Sequence, residues 1–207
     1  MTSSAEERPY HHGDLERSLV DAAIDIVRKS GTAPVSLRAI ARATGVSHAA
    51  PYHHFPDRLS LLRAVSKRAM DILCVAMKEA MARHPNDPLR QFQDSGVAYV
   101  LFAVKEPHLF RLILTVDDVR LFPLIRHQCQ QTFGGVRRLV EEAIVQANRD
   151  EVDTIAVAAW SLVHGVAQLA LAGQFGERIE DIERAAQDVT SMFLTGMTAR
   201  TPGSVLS

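Results

Sequence analysis

Apolar residues recur along this chain at intervals of three and four, the repeat of an α-helix with one buried face. The first stripe is Leu15, Leu19, Ala22, Ala23, Ile26 and Val27, and Lys29-Ser30-Gly31 closes it. Ser36 is placed to cap a second helix over roughly Leu37 to Ala43, which Gly45 ends. A third, short helix is predicted from about His48 to Phe55. Asp57 can cap a fourth, running through Leu62, Val65, Ala69 and Ile72 towards His84. No stretch keeps the two-residue alternation of a half-buried strand for long enough to count.

His84-Pro85-Asn86-Asp87-Pro88 breaks the pattern and reads as a loop, with Asp87 able to start the next helix. Further helices are expected near 88–105, 107–114, 119–148, 152–173 and 178–198, with Pro123 in the first turn of the longest. Within that one, Val136, Leu139, Val140, Ala143, Ile144 and Ala147 keep strict helical spacing. The tail from Pro202 is expected to fray. The expectation is an all-α fold of about nine helices. A small N-terminal unit, residues 1–66, is joined by a long helix to a larger bundle within residues 67–207.

Composition narrows this picture in two places. The 207 residues are 47% hydrophobic and 23% charged, ordinary for a globular protein with a sizeable core. There is no apolar signal region at the start, and no run is expected to approach the roughly 18 apolar residues of a membrane span. Cys74 and Cys129 lack metal-ligand spacing and fit free thiols in a reducing cytoplasm. The net charge is −1, but it is unevenly spread. Residues 1–70 hold ten Lys and Arg against seven Asp and Glu, a balance of +3, leaving −4 for the rest. Five of the nine histidines lie in the first 54 residues. The sign suits an N-terminal module that meets an anionic polymer.

The segment SLRAIARATGVSHAAPYHHF, residues 36 to 55, has the layout of a helix-turn-helix, in which a bracing helix positions a second one in the major groove. Ile40, Ala41, Val46 and Phe55 can face inward, and Gly45 supplies the corner. Ser47, His48, Ala49 and Ala50 are then left on the exposed start, where small side chains let the backbone approach base edges and thymine methyls. Pro51 is tolerable only in the first turn of a short helix, whose N–H groups have no internal partner.

SLRAIARATGVSHAAPYHHFPDRLSLLRAV resembles the N-terminal domain of the TetR/AcrR family of bacterial transcriptional repressors, over roughly residues 12 to 66. The specific signature is the ending Tyr52-His53-His54-Phe55 at this offset from the Gly45-Val46 corner. The resemblance implies that Arg38 contacts DNA from the second helix and that His48, Ala49 and Ala50 face bases. It implies that Tyr52, His53 and His54 contact the backbone or nearby bases, and that Arg58, often Lys in the family, contacts phosphate. Pro56-Asp57 is less basic than in many members. Phe55 and His54 are open to a packing role instead. Arg8, His11 and His12 are either an arm reaching DNA or a solvated tail. His11-His12 has no acid or Cys cluster beside it, and no metal or other cofactor is expected.

In the family the C-terminal half dimerises and holds a small-molecule pocket. AAWSLVHGVAQLALAG, residues 158–173, resembles the Trp-x-x-x-His-Gly helix of a subset of these regulators. Its Ala159, Ala167 and Ala170, with Trp160 and Val163 as larger anchors, suit close helix contact in a dimer interface, or in the chain's own core. Candidate ligand-lining residues are Phe92, Gly96, Tyr99, Val100, Phe110, Ile113, Leu114, Phe122, Cys129, Trp160, His164 and Gln168. His164 and Gln168 lie one turn apart and can share a ligand, or bond backbone across a dimer. The implied function is a cytoplasmic, homodimeric repressor that leaves operator DNA on binding a small effector, with no membrane partner. Two other classes compete. An enzyme is disfavoured because no triad, paired acids, phosphate loop or His-Glu metal spacing is present. A helical ligand-binding or interaction protein without DNA binding is countered by Arg38, Tyr52 and Arg58.

Overall fold

The structure, a computed structural model, describes residues 12–115 and 149–198. Seven α-helices and one short 3-10 helix are found there, with no strand among the described residues. In chain order they are α1 (His12–Ser30), α2 (Leu37–Thr44), the 3-10 turn Ala50–His53, α3 (Arg58–Met81), α4 (Pro88–Lys105), α5 (Pro107–Thr115), α6 (Arg149–Leu171) and α7 (Ile179–Thr198). The expected helix over 119–148 lies outside the described residues, as do Phe122 and Cys129.

Local chemistry sets the boundaries. Ser36 is extended and its hydroxyl accepts from the Ala39 N–H at 3.1 Å, which starts α2. Asp57 caps α3 reciprocally. Its carboxylate accepts from the Ser60 N–H at 2.7 Å, while the Ser60 hydroxyl oxygen accepts from the Asp57 N–H at 3.3 Å. Asp87 caps α4 one way, its carboxylate accepting from the Arg90 N–H at 3.1 Å, with Pro88 at the first helical position. α3 stops at Met81, short of the expected His84, because the chain tightens into three-residue turns before Pro85.

Residues Leu19, Ala23 and Val27 of α1, Ile40 of α2 and Leu61 and Val65 of α3 are fully buried and form the N-terminal core. Each of the leucine, isoleucine and valine side chains contributes about 1.5–3 kcal/mol on removal from water, and the Ala23 methyl less. α3 then runs on to pack against α4, which in turn packs against α5, α6 and α7. Gly96 is what lets α4 sit so close: a Cβ there would lie 3.0 Å from Val163 Cγ1 and 3.2 Å from Thr190 Cγ2. α5 also touches α1 and α3, so the second bundle leans on the N-terminal unit. Arg28 of α1 reaches the α4–α5 corner, its Nε donating to both Glu106 carboxylate oxygens at 3.0 and 3.1 Å.

One expectation is corrected. The segment Thr154–Leu171 of α6 has a mean hydropathy of 1.6 and is long and apolar enough to cross a membrane. Its apolar residues are spread around the helix. Ala159, Val166, Ala167 and Ala170 are buried, while Val157 and Leu169 are 62% and 49% exposed.

Candidate nucleic-acid interface and effector cluster

The reading unit is built around its corner. Gly45 has φ of 71°, the left-handed conformation that ends α2, and the Val46 N–H returns to the Ala41 carbonyl at 3.1 Å. Val46 packs against the core. The chain then comes to the surface: Ser47, His48 and Ala49 are exposed and Ala50 partly so. The predicted His48–Phe55 helix is in fact a turn at 48–49 followed by the 3-10 turn Ala50–His53. Pro51 explains the shortening, since it has no N–H to donate. Its ring is buried and its carbonyl accepts from both His54 and Phe55. With Pro51 and Phe55 as inward pegs, Tyr52 and His53 are held outward, Tyr52 at 51% exposure.

Arg38 is exposed on α2, and so is Arg42 one turn later on the same face, a residue the sequence reading passed over. No acidic residue occurs from Gly31 to Pro56. The surface formed by α2, the corner and the 3-10 turn therefore carries Arg38, Arg42, His48 and His53 with no carboxylate of its own. Such a surface can meet phosphates at its edges and base edges at its small-residue centre.

Two of the expected DNA contacts have partners within the chain. His54 is turned inward, its side chain only 9% exposed, with Nδ1 3.7 Å from Glu16 Oε2 of α1. Its partial burial beside Phe55 makes it part of the packing under the turn. Arg58 donates from Nε to the Val35 carbonyl at 2.8 Å and from Nη2 to the Thr32 carbonyl at 2.7 Å. At the neighbouring cap, hydrogen bonds from the Ser60 backbone N–H, then from its hydroxyl, hold the Asp57 carboxyl below the usual carboxylate range.

The candidate effector residues separate into a cluster and a set of packing positions. Tyr99 of α4, Phe110 of α5 and Trp160 and His164 of α6 come together. The Tyr99 and Phe110 rings meet edge-on with centroids 5.5 Å apart, and the Phe110 and Trp160 rings lie 6.0 and 5.5 Å from His164. A polar relay crosses this cluster: the Tyr99 hydroxyl is 3.0 Å from His164 Nδ1, and the exposed Gln168 amide donates towards Nε2 at 3.3 Å. Burial lowers the His164 pKa, which favours the neutral ring. Phe92 stacks on Phe193 of α7, a partner no spacing argument pointed to, with centroids 6.2 Å apart. Gly96 is a helix-crossing residue. Val100 and Ile113 are buried in the core, and Leu114 is 42% exposed.

The small-residue stripe expected at a dimer interface is used within the chain. Ala159, Ala167 and Ala170 are at most 6% exposed, and Val163 Cγ1 faces Gly96. A small residue marks a close approach but not which helix makes it, and α6 packs against both α4 and α7.

Comparison with known proteins adds what geometry alone leaves general. The family model described as bacterial regulatory proteins, tetR family, matches residues 19–65. A second, described as tetracyclin repressor-like, C-terminal domain, matches residues 92–193. The chain belongs to the TetR family. It is 24% identical over 187 residues to the HTH-type transcriptional regulator CymR of Pseudomonas putida, covering 85% of this chain and 89% of that one. A solved protein with unknown function from Rhodococcus sp. RHA1 is 31% identical, with a TM-score of 0.73 over 92% of this chain and 98% of its own. The transcriptional regulator FadR from Bacillus subtilis, solved in complex with stearoyl-CoA, shares the fold at 14% identity, with a TM-score of 0.67 over 87% and 98% of the two chains. The TetR family is regulatory and DNA-binding.

Proposed function

We propose that this TetR-family protein is a ligand-responsive repressor that binds operator DNA as a homodimer in the cytoplasm. The observation that carries the DNA reading is the outward set Ser47, His48, Ala49, Tyr52 and His53, fixed by the inward set Ile40, Pro51 and Phe55. The exposed set enters a major groove, His48 and the two alanines against bases, with Arg38, Arg42, Tyr52 and His53 on flanking phosphates.

The second copy covers the outer faces of α6 and α7. Val157, Ser161, Gly165 and Leu169 recur every fourth residue along the exposed side of α6, and Met192 of α7 is 77% exposed. Four such helices, two from each chain, make an intermolecular bundle and bury the apolar surface that gives α6 its high hydropathy. Residues 1–66 form the DNA-reading domain and 67–207 the dimerisation and effector domain.

The effector binds at Tyr99, Phe110, Trp160, His164 and Gln168, and the ligand carried by FadR supports effector binding on this fold. α5 links the site to the reading unit, because Phe110 stands in the ring cluster while α5 also touches α1 and α3. A ligand that moves α5 tilts α3 and spoils the match of the two reading units to their half-sites. The test is selection of bound duplexes from a random pool. A salt-sensitive, near-palindromic site bound at sub-micromolar protein is expected, and no enrichment would sink the reading.

A further inference from the structure

We infer that Arg58 is a positioning residue that closes the DNA-reading unit on itself, and is not a phosphate contact. The inference rests on the DNA-binding reading above. Arg58 is the first residue of α3, and the reciprocal cap between Asp57 and Ser60 fixes its backbone. Its side chain reaches back to the loop between α1 and α2, where Nε meets the Val35 carbonyl at 2.8 Å and Nη2 the Thr32 carbonyl at 2.7 Å. Those two carbonyls belong to one tight turn, since the Val35 N–H donates to Thr32 O at 3.1 Å. Val35 is itself 1% exposed, so the turn is anchored from below.

Between the two anchors lie Ser36 to Asp57, which is α2, the left-handed corner and the 3-10 turn in full. The guanidinium thus joins the start of the reading segment to its end. A planar fork suits this task, because its donors diverge at a fixed angle to two separate acceptors. A lysine would carry the same charge on one nitrogen at the end of a flexible stem, and would not hold both carbonyls at that spacing. A phosphate contact can use the same fork, so the roles are separated by charge: a lost phosphate contact lowers the salt dependence of binding, whereas lost bonds to the two carbonyls do not.

The two roles separate in one experiment on full-length protein. Affinities of wild type, Arg58→Lys and Arg58→Gln are measured by fluorescence anisotropy across a salt series. The duplexes are the strongest one selected from a random pool and an unrelated one. Positioning predicts that both variants lose tenfold or more on the selected duplex. It also predicts an unchanged slope of log affinity against log salt, and unchanged binding to the unrelated duplex. A merely destabilised fold would weaken both duplexes alike. Wild-type affinity in Arg58→Lys overturns the inference, as does a slope reduced by about 1.8 in Arg58→Gln, the signature of one lost phosphate contact in each half of the dimer. The free wild-type protein supplies a reading that needs neither variant nor duplex. Its Arg58 Nε–H should exchange slowly with solvent, and fast exchange there overturns the inference even if the pool yields no site, an outcome that would count separately against DNA binding.

Discussion

The corner at Gly45 offers a clean perturbation, because its cost is confined to one physical cause. Its φ is 71°, and a Cβ built there would meet nothing within 4 Å. Gly45→Ala therefore introduces no clash. What it introduces is an L-residue in the left-handed region, at roughly 1–2 kcal/mol. For a chain of this size each kcal/mol lowers the melting midpoint by about 2–4 °C. Gly45→Asn serves as an internal standard, since asparagine tolerates this region better, and its loss should be visibly smaller. Equilibrium urea unfolding with the protein concentration held fixed reads the difference, as dimerisation would otherwise move the midpoint. If alanine proves as stable as glycine, or asparagine costs more than alanine, the left-handed corner is not what holds α2 to the 3-10 turn.

Three further outcomes follow from other parts of the fold. Ser36→Ala removes the oxygen that satisfies the Ala39 N–H and should cost about 1 kcal/mol in the same unfolding assay, whereas Ser36→Asp should cost little; equal losses would contradict a capping role. Arg28 and Glu106 form a two-bond contact that is only partly exposed, and a double-mutant cycle with alanine at each site should return a coupling of about 0.5–1 kcal/mol, falling as salt is raised. Zero coupling at low salt would remove this tie between α1 and the α4–α5 corner. For His164 the folded state prefers the neutral ring, so its pKa sits below the ordinary 6.5. The unfolded chain then binds the proton more readily, and wild type loses stability as pH falls from above 6.5 through the folded-state pKa. The stability advantage of wild type over His164→Gln should accordingly narrow on acidification in thermal melts, and a widening gap would refute the assignment.

What the sequence disclosed and what it hid divide along a physical line. Ser36, Gly45, Asp57 and Asp87 act on backbone groups a few residues away, so their roles could be assigned from neighbours alone. The helical stripes were legible for the same reason, because a periodic face announces that it is buried. It does not announce against what. Ala159, Ala167 and Ala170 suited a partner chain as well as the chain's own core, and their burial within the folded chain is what only the structure supplies. Arg58 shows the limit most sharply. Its two acceptors are main-chain carbonyls 23 and 26 residues upstream, groups that every residue type carries. Family resemblance offered phosphate for the same side chain, and no spacing argument could have pointed to the carbonyls instead. In the ring cluster the pair His164 and Gln168 could be read from its one-turn spacing, while Tyr99 and Phe110 reach it from two other helices. Pro51 was a local signal of a short reading element, and the 3-10 turn is its outcome.

The central claim is that the exposed segment from Ser47 to His53 reads the major groove as part of a two-fold dimer. Dimethyl sulfate footprinting on a duplex selected from a random pool tests it most directly, because the reagent reports guanine N7 in the major groove. The account predicts two protected patches related by the palindrome and spaced by about one helical turn or a multiple of it, each altered at a single base position by His48→Ala. A bound complex that leaves every guanine N7 reactive, or a footprint unchanged by substitutions at His48, Tyr52 and His53, would contradict it.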